Sequence, residues 1–350
     1  MYNLVSNYVF FNKKVAIATA GYYNMVMISQ LTSLDERAGT NVSSYNTIDD
    51  VLGAASLNFN VETTPAHDPE GNEVPGVNLI RRTDTNSVLG TCGKRYQCID
   101  NREMFTPFAN VVEDAGAKYE SAGTIGAGKI NWISARLPKE LTVQVGKHKD
   151  LYQQRLIMMT YHDGLRRNSY FSFNKRVICN NMLSQLSKAA GKSLGVRHTP
   201  SWEAQLDVAN EAFAESVKDM HAFKENGEWL AKQAMKEDQA LMFGYRFFGK
   251  WIEDEERDKK NKDRSDRSKT LEETKVATLM KLFNEGMGNE GKTRYDMLNA
   301  VTEYLDHHAI KKNTNTGKRL LSNLNGAQRT LKSRALQELS STSGYLKLAA

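Results

Sequence analysis

Alternation of apolar and polar residues is sharpest between Met158 and Leu183, MMTYHDGLRRNSYFSFNKRVICNNML. Two strand-like runs flank Asp163-Gly164, a pair suited to a type I′ turn, which needs positive φ at both central residues. The pattern predicts a β-hairpin. Past the turn, side chains alternate between two faces. Phe171, Phe173 and Val177 share an apolar face, expected to be core. Arg166, Asn168, Tyr170, Ser172, Asn174 and Arg176 share a polar face, expected to meet solvent.

The same reading predicts strands at Asn78–Arg82, Val88–Cys92, Arg95–Ile99, Lys118–Thr124, Ile130–Leu137 and Leu141–Val145. A short helix is expected after Asn46 or Thr47. A longer one starts at Asp100, with Glu103 placed as the second half of a capping box, and buries Phe105, Phe108, Val111 and Val112 before Gly116. Residues 65–76 hold three prolines and two glycines and read as a loop. After Pro200 the period becomes helical. Leu206, Ala209, Ala212, Phe213 and Val217 recur at three and four within Ala204–Trp251, and further helices fit Leu271–Asn284, Arg294–His307 and Gly326–Leu339.

The predicted fold class is α+β: an antiparallel, hairpin-rich sheet with a packed helix, followed by an α-helical C-terminal region. Residues 1–45 carry no clear pattern. Residues 46–200 form the α+β part and 201–350 the helical part, with a charge-dense stretch near 252–275 that is either a solvated helix or a linker.

Composition narrows the function. At 40% hydrophobic and 25% charged residues, the chain can bury a sizeable core. Three cysteines (Cys92, Cys98, Cys179) make no disulfide framework and lack zinc-ligand spacing, so a reducing, cytoplasmic compartment is expected. The uncharged stretch Val15–Leu31 is too polar to span a membrane, and no membrane association is expected. The net charge of +6 is uneven: residues 310–350 hold eight cations against Glu338 alone, leaving about −1 for the rest. Such a basic end fits a polyanion or a solubilising helix.

Gly286-Met-Gly-Asn-Glu-Gly291-Lys292-Thr293 matches a phosphate loop letter by letter. That mechanism needs a buried strand before the loop, and Val276–Phe283 has helical spacing instead, so a glycine-rich turn between helices is expected. Gly123–Lys129 is a second near-match and reads as a hairpin loop in which Lys129 could touch a phosphate backbone. Glu303, Asp306 and His307 share a helix face, either as metal ligands or as polar packing. His162 and His198 have no evident nucleophile partner. No hydrolase or zinc-protease motif is present, and neither catalytic residues, a metal nor a cofactor is expected. Cations interleaved with rings are the chemistry that holds a single nucleic-acid strand. On this reading Lys94, Arg95, Tyr96, Lys129, Arg166, Arg167, Tyr170 and Arg176 are the candidate contacts.

Several segments together resemble a known family. These are Val88-Leu-Gly-Thr with Arg95-Tyr-Gln97, the run Phe171–Asn181, the triplet Arg197-His198-Thr199, and Asn299-Ala-Val-Thr-Glu303-Tyr-Leu-Asp306-His307. They resemble the phage/plasmid-like family, a domain of unknown function common in bacteriophages and plasmids, over most of residues 45–340. The outline is also similar to ring-forming single-strand annealing proteins. These resemblances imply a homo-oligomeric protein that binds single-stranded DNA and promotes annealing in recombination or replication. Two alternatives are a protein-interaction or counter-defence factor and a nucleotide-dependent enzyme using residues 286–293.

Overall fold

The computed structural model describes residues 38–178, 181–184, 195–218, 220–249, 266–309 and 315–341. Lys311, Lys312 and Lys347 of the basic end lie outside these residues, as do residues 1–37 and most of the charge-dense stretch.

The fold is α+β, as the periodicities predict. After β1 (Thr40–Asn41), helix α1 (Ile48–Ala54) starts where Thr47 accepts from the Asp50 N–H. Strands β2 (Val61–His67), β3 (Glu73–Arg82) and β4 (Val88–Cys92) form a small antiparallel sheet. Helix α2 (Asn101–Asp114) opens with the Asp100 N–H donating to Glu103 Oε2 at 2.7 Å. The large sheet then builds from β5 (Lys118–Ile125), β6 (Ile130–Val145), β7 (His148–Tyr161), β8 (Asn168–Arg176), β9 (Met182–Ser184) and β10 (Gly195–Val196). Its order is β1-β5-β6-β7-β8, and β8 pairs with both β9 and β10 on its outer side.

Ile130–Leu137 and Leu141–Val145 are one strand, not two. Between Arg136 and Glu140 the pairing with β7 slips, and Pro138 sits in that slip, where its missing N–H costs no ladder bond. Arg95–Ile99 is not a strand: it leaves β4 through a turn closed by the Tyr96 N–H on Gly93 O (3.1 Å). The long helical reading of Ala204–Trp251 resolves into α3 (Trp202–Lys218), α4 (Met220–Lys232) and α5 (Glu237–Phe248), interrupted where Ala234 bridges to Thr293. Then come α6 (Asp266–Glu285), α7 (Arg294–Glu303) with a π-helical turn at Tyr304–His308, α8 (Thr316–Asn325) and α9 (Ala327–Ser340).

The sheet is covered on both faces. Phe105, Phe108, Leu206 and Phe213 of α2 and α3 pack with Ile133, Met158 and Tyr170 on one side. Leu320 and Leu324 of α8 pack with Trp132, Ile157, Phe171 and Phe173 on the other. The far half of the β6–β7 hairpin reaches into the helical region, where Val143, Val145 and Tyr152 join Leu230, Phe243, Phe283 and Tyr295.

This double cover corrects the hairpin's expected wet face. Phe171 and Phe173 are core, but every residue of β8 is buried. Tyr170 is 1% exposed, stacks on Phe213 (centroids 4.8 Å) and donates to Asn210 Oδ1 at 2.6 Å. Arg176 is equally buried. It pairs with Asp150 and donates through Nη1 to Met287 O at 2.8 Å. Val177, placed in the core by alternation, is 36% exposed because β8 ends one residue before it.

Candidate nucleic-acid interface

Three chain segments meet at the end of the large sheet. The first is the loop of residues 162–167 between β7 and β8. It is wider than the two-residue turn expected, since only Gly164 of the Asp163-Gly164 pair has positive φ (+73°). Asp163 holds it instead: its Oδ1 accepts the N–H groups of Leu165 (2.9 Å) and Arg166 (3.1 Å). Gly164 lies against β4, where any Cβ would overlap the Thr91 carbonyl oxygen. The loop is therefore fixed from within and from below.

The second segment is the turn after β4, carrying Lys94, Arg95 and Tyr96. Lys94 and Arg95 are exposed. The Tyr96 ring stacks on His198, with centroids 4.6 Å apart and planes 10° apart. Burial holds the Tyr96 phenol far above its ordinary pKa, so it remains neutral.

The third is Arg197-His198-Thr199, between β10 and α3. Gln205 Oε1 accepts the Arg197 N–H (3.0 Å), and Gln205 Nε2 donates to Thr199 Oγ1 (3.0 Å). Gly195 admits the Arg167 side chain across β10; a Cβ there would overlap it.

These segments enclose two adjoining open clefts. One, of about 380 Å³, is lined by Tyr96, Leu165, Arg166, Arg167, Arg197 and Thr199 among others. The next, of about 570 Å³, shares Arg167, Arg197 and Thr199 and adds Ser201, Gln205 and Val208. Arg166 is 45% exposed and only loosely engaged by Asp163, at 3.5 Å. Arg197 is exposed.

Of the residues expected from sequence, the fold thus brings Tyr96, Arg166 and Arg167 to one place, with Lys94 and Arg95 on the neighbouring turn. Lys129 is exposed in the β5–β6 loop; its carbonyl accepts the His162 N–H (2.8 Å), but its side chain does not line the clefts. Tyr170 and Arg176 lie in the core, where no base or phosphate reaches them. Sequence reasoning missed Arg197. It stood in a triplet noted for family likeness, and its position beside Arg167 depends on β10 pairing with β8.

Behind the clefts lies a buried polar network. Asn101 donates to Leu57 O, and its Oδ1 accepts from Asn131 Nδ2 (3.2 Å), Thr160 Oγ1 (2.8 Å) and His162. His162 Nε2, 3.0 Å away, must therefore carry the proton. Burial, then the nearby His198 and Arg82, push the His162 pKa down to about 3. His198 is lowered too, mainly by burial. These rings are structural neighbours, 6.3 Å apart. The sign for stability follows: an unfolded His162 titrates near 6.5 and the folded one near 3, so its contribution is complete above about pH 6.5 and is lost as pH falls toward 3. His162→Gln is expected to flatten the dependence of unfolding free energy on pH in that window by nearly one proton. Ring NMR of the wild type should show a neutral Nε2–H tautomer at pH 5. A protonated ring at that pH contradicts the assignment.

Other candidate chemistry takes structural roles. The 286–293 loop joins α6 to α7, so a helix precedes it. Its Lys292 and Thr293 N–H groups both donate to Asp296 Oδ2 (3.0 Å), and Lys292 Nζ pairs with Glu290 (2.8 Å). Two backbone donors of the match and its lysine thus engage the chain's own carboxylates. Glu303 is buried, Asp306 pairs with Lys332, and His307 meets Asn181 Oδ1 at 3.0 Å. Among the described residues, no group of three His, Cys, Asp or Glu could hold a metal. Burial raises the thiol pKa of Cys92 and pushes that of Cys98 up to about 12, which makes both poor nucleophiles.

Residues 88–326 match the family described as Domain of unknown function (DUF932), and the chain belongs to it. No match was found among curated proteins or solved structures. Among the described residues, no helix is long and apolar enough to cross a membrane.

Proposed function

We propose that the chain binds single-stranded DNA along the two clefts and, as a homo-oligomer in the cytoplasm of a bacterial host, promotes strand annealing for a phage or plasmid. The observation that supports this is the meeting of Arg166 and Arg167 from one loop with Arg197 from another beside Tyr96. Guanidinium groups suit phosphate oxygens, and each phosphate they neutralise releases a counterion. Lys94 and Arg95 extend the positive surface. Annealing needs no bond-making chemistry: neutralised strands approach and pair.

The test is a labelled DNA oligonucleotide titrated across a salt series. Arg166→Ala with Arg197→Ala is expected to weaken binding roughly tenfold or more and to reduce the salt slope by about 1–2. Both side chains are exposed, so thermal stability should be unchanged. An unaltered slope in the folded double variant removes the assignment.

A further inference from the structure

Leu165 is 86% exposed, the most exposed of the large apolar side chains among the described residues. A single exposed leucine is ordinary. This one differs in where and how it is held. It stands at the tip of the β7–β8 loop and lines the same cleft as Tyr96, Arg166, Arg167 and Arg197. Its own N–H is fixed on Asp163 Oδ1 at 2.9 Å. The preceding Gly164 is seated on Thr91 O, and Gly90 lies against the Asp163 backbone so closely that neither glycine could carry a side chain. The apolar tip is thus presented by an anchored backbone. The cations around it favour a polyanion with flat apolar groups between its charges.

Resting on the DNA-binding reading above, we infer that Leu165 is a wedge that inserts between neighbouring bases of the bound strand and unstacks them, while the adjacent arginines hold the flanking phosphates. Apolar side chains inserted at base steps are a recurrent device in nucleic-acid binding, and a single strand offers less stacking to disrupt than a duplex.

The experiment uses the full chain and a single-stranded DNA oligonucleotide carrying 2-aminopurine, whose fluorescence rises when its neighbours unstack. At saturating protein, the wild type should raise the signal. Leu165→Ala should lower that rise by about twofold or more while leaving the salt slope intact, and Leu165→Phe should restore it. Since Leu165 is exposed, neither variant should shift the unfolding temperature. A rise in Leu165→Ala equal to the wild type's overturns the wedge alone, and is the result expected of a leucine that serves a protein contact. If the wild type does not bind the oligonucleotide at low salt, the DNA-binding reading and the wedge fail together.

Discussion

Arg176→Ala is expected to cost about 3–5 kcal/mol of folding stability, the size typical of breaking a buried ion pair from one side. Arg176 Nε and Nη2 both reach Asp150 Oδ2, at 2.9 and 2.5 Å, and Nη1 donates to the Met287 carbonyl at 2.8 Å. Tyr295 donates to the same Asp150 oxygen (2.8 Å), and its hydroxyl also meets that of Tyr152 (2.7 Å). This network joins the end of β8, the start of β7, α7 and the 286–293 loop. Truncating the arginine leaves the Asp150 carboxylate buried with Tyr295 as its remaining hydrogen-bond donor among those named. Arg176→Lys should recover little, because one ammonium cannot reproduce the planar fork that serves Asp150 and Met287 O together. Arg176→Met combined with Asp150→Asn should recover much of the loss, since it removes both charges. Denaturant midpoints of the four proteins measure this directly. The folded fraction of Arg176→Ala should bind an oligonucleotide with the wild-type salt slope. A loss below about 1 kcal/mol together with a reduced slope would return Arg176 to the interface.

Arg176 also shows where sequence reading stops. Local signals were legible: Thr47 caps α1, Glu103 closes on the Asp100 N–H, Val88–Cys92 is a strand as written, and the glycine-rich 286–293 segment is a turn between helices. Each depends on neighbours a few residues away. The faces of β8 depend on remote ones. Alternation separated its two faces correctly, but whether the polar face is wet rests on α3, some forty residues on, supplying Phe213 and Asn210 to Tyr170. Nothing in the alternation of residues 168–176 encodes that cover. Helix α8 escaped prediction for a related reason. Its apolar spacing is short, and Gly317 near its start reads as a breaker, yet that glycine lets the helix approach Ile125 where a side chain would overlap. For the candidate site, the cations of the 162–167 loop and the Lys94–Tyr96 turn were legible as a class. Their meeting with Arg197 was not, because β10 is only two residues long and carries no strand pattern. The basic end shows the converse error. Several of its cations are engaged by the fold: Arg334, though exposed, donates to the Phe247 carbonyl, Arg319 donates to that of Asp306, and Arg329 lies over the Phe171 ring.

Lys332 makes the sharpest case, and Lys332→Ala is likewise expected to cost about 3–5 kcal/mol. Its ammonium reaches Asp306 Oδ1 and Asn323 Oδ1, each at 2.6 Å, with the Lys332 and Asp306 side chains 3% and 2% exposed. Asp306 sits in the π-helical turn, where the backbone departs from the i→i−4 ladder and its carbonyls turn to other donors. Arg319 Nη2 donates to Asp306 O at 2.6 Å and Gln328 Nε2 to Leu305 O at 2.8 Å. Helices α8 and α9 thus satisfy the turn's backbone, and Lys332 neutralises its one buried carboxylate. Removing the ammonium takes a cationic partner from that buried carboxylate and a donor from Asn323 Oδ1. Lys332→Met with Asp306→Asn should be far closer to wild type than Lys332→Ala, because no buried charge is left behind. Lys318, exposed on α8, provides the contrast: Lys318→Ala should stay within about 0.5 kcal/mol. Chemical denaturation of the three variants separates the outcomes. Equal small losses for Lys332→Ala and Lys318→Ala would mean that the basic end is a solvated surface; the expected gap between them makes Lys332 part of the core.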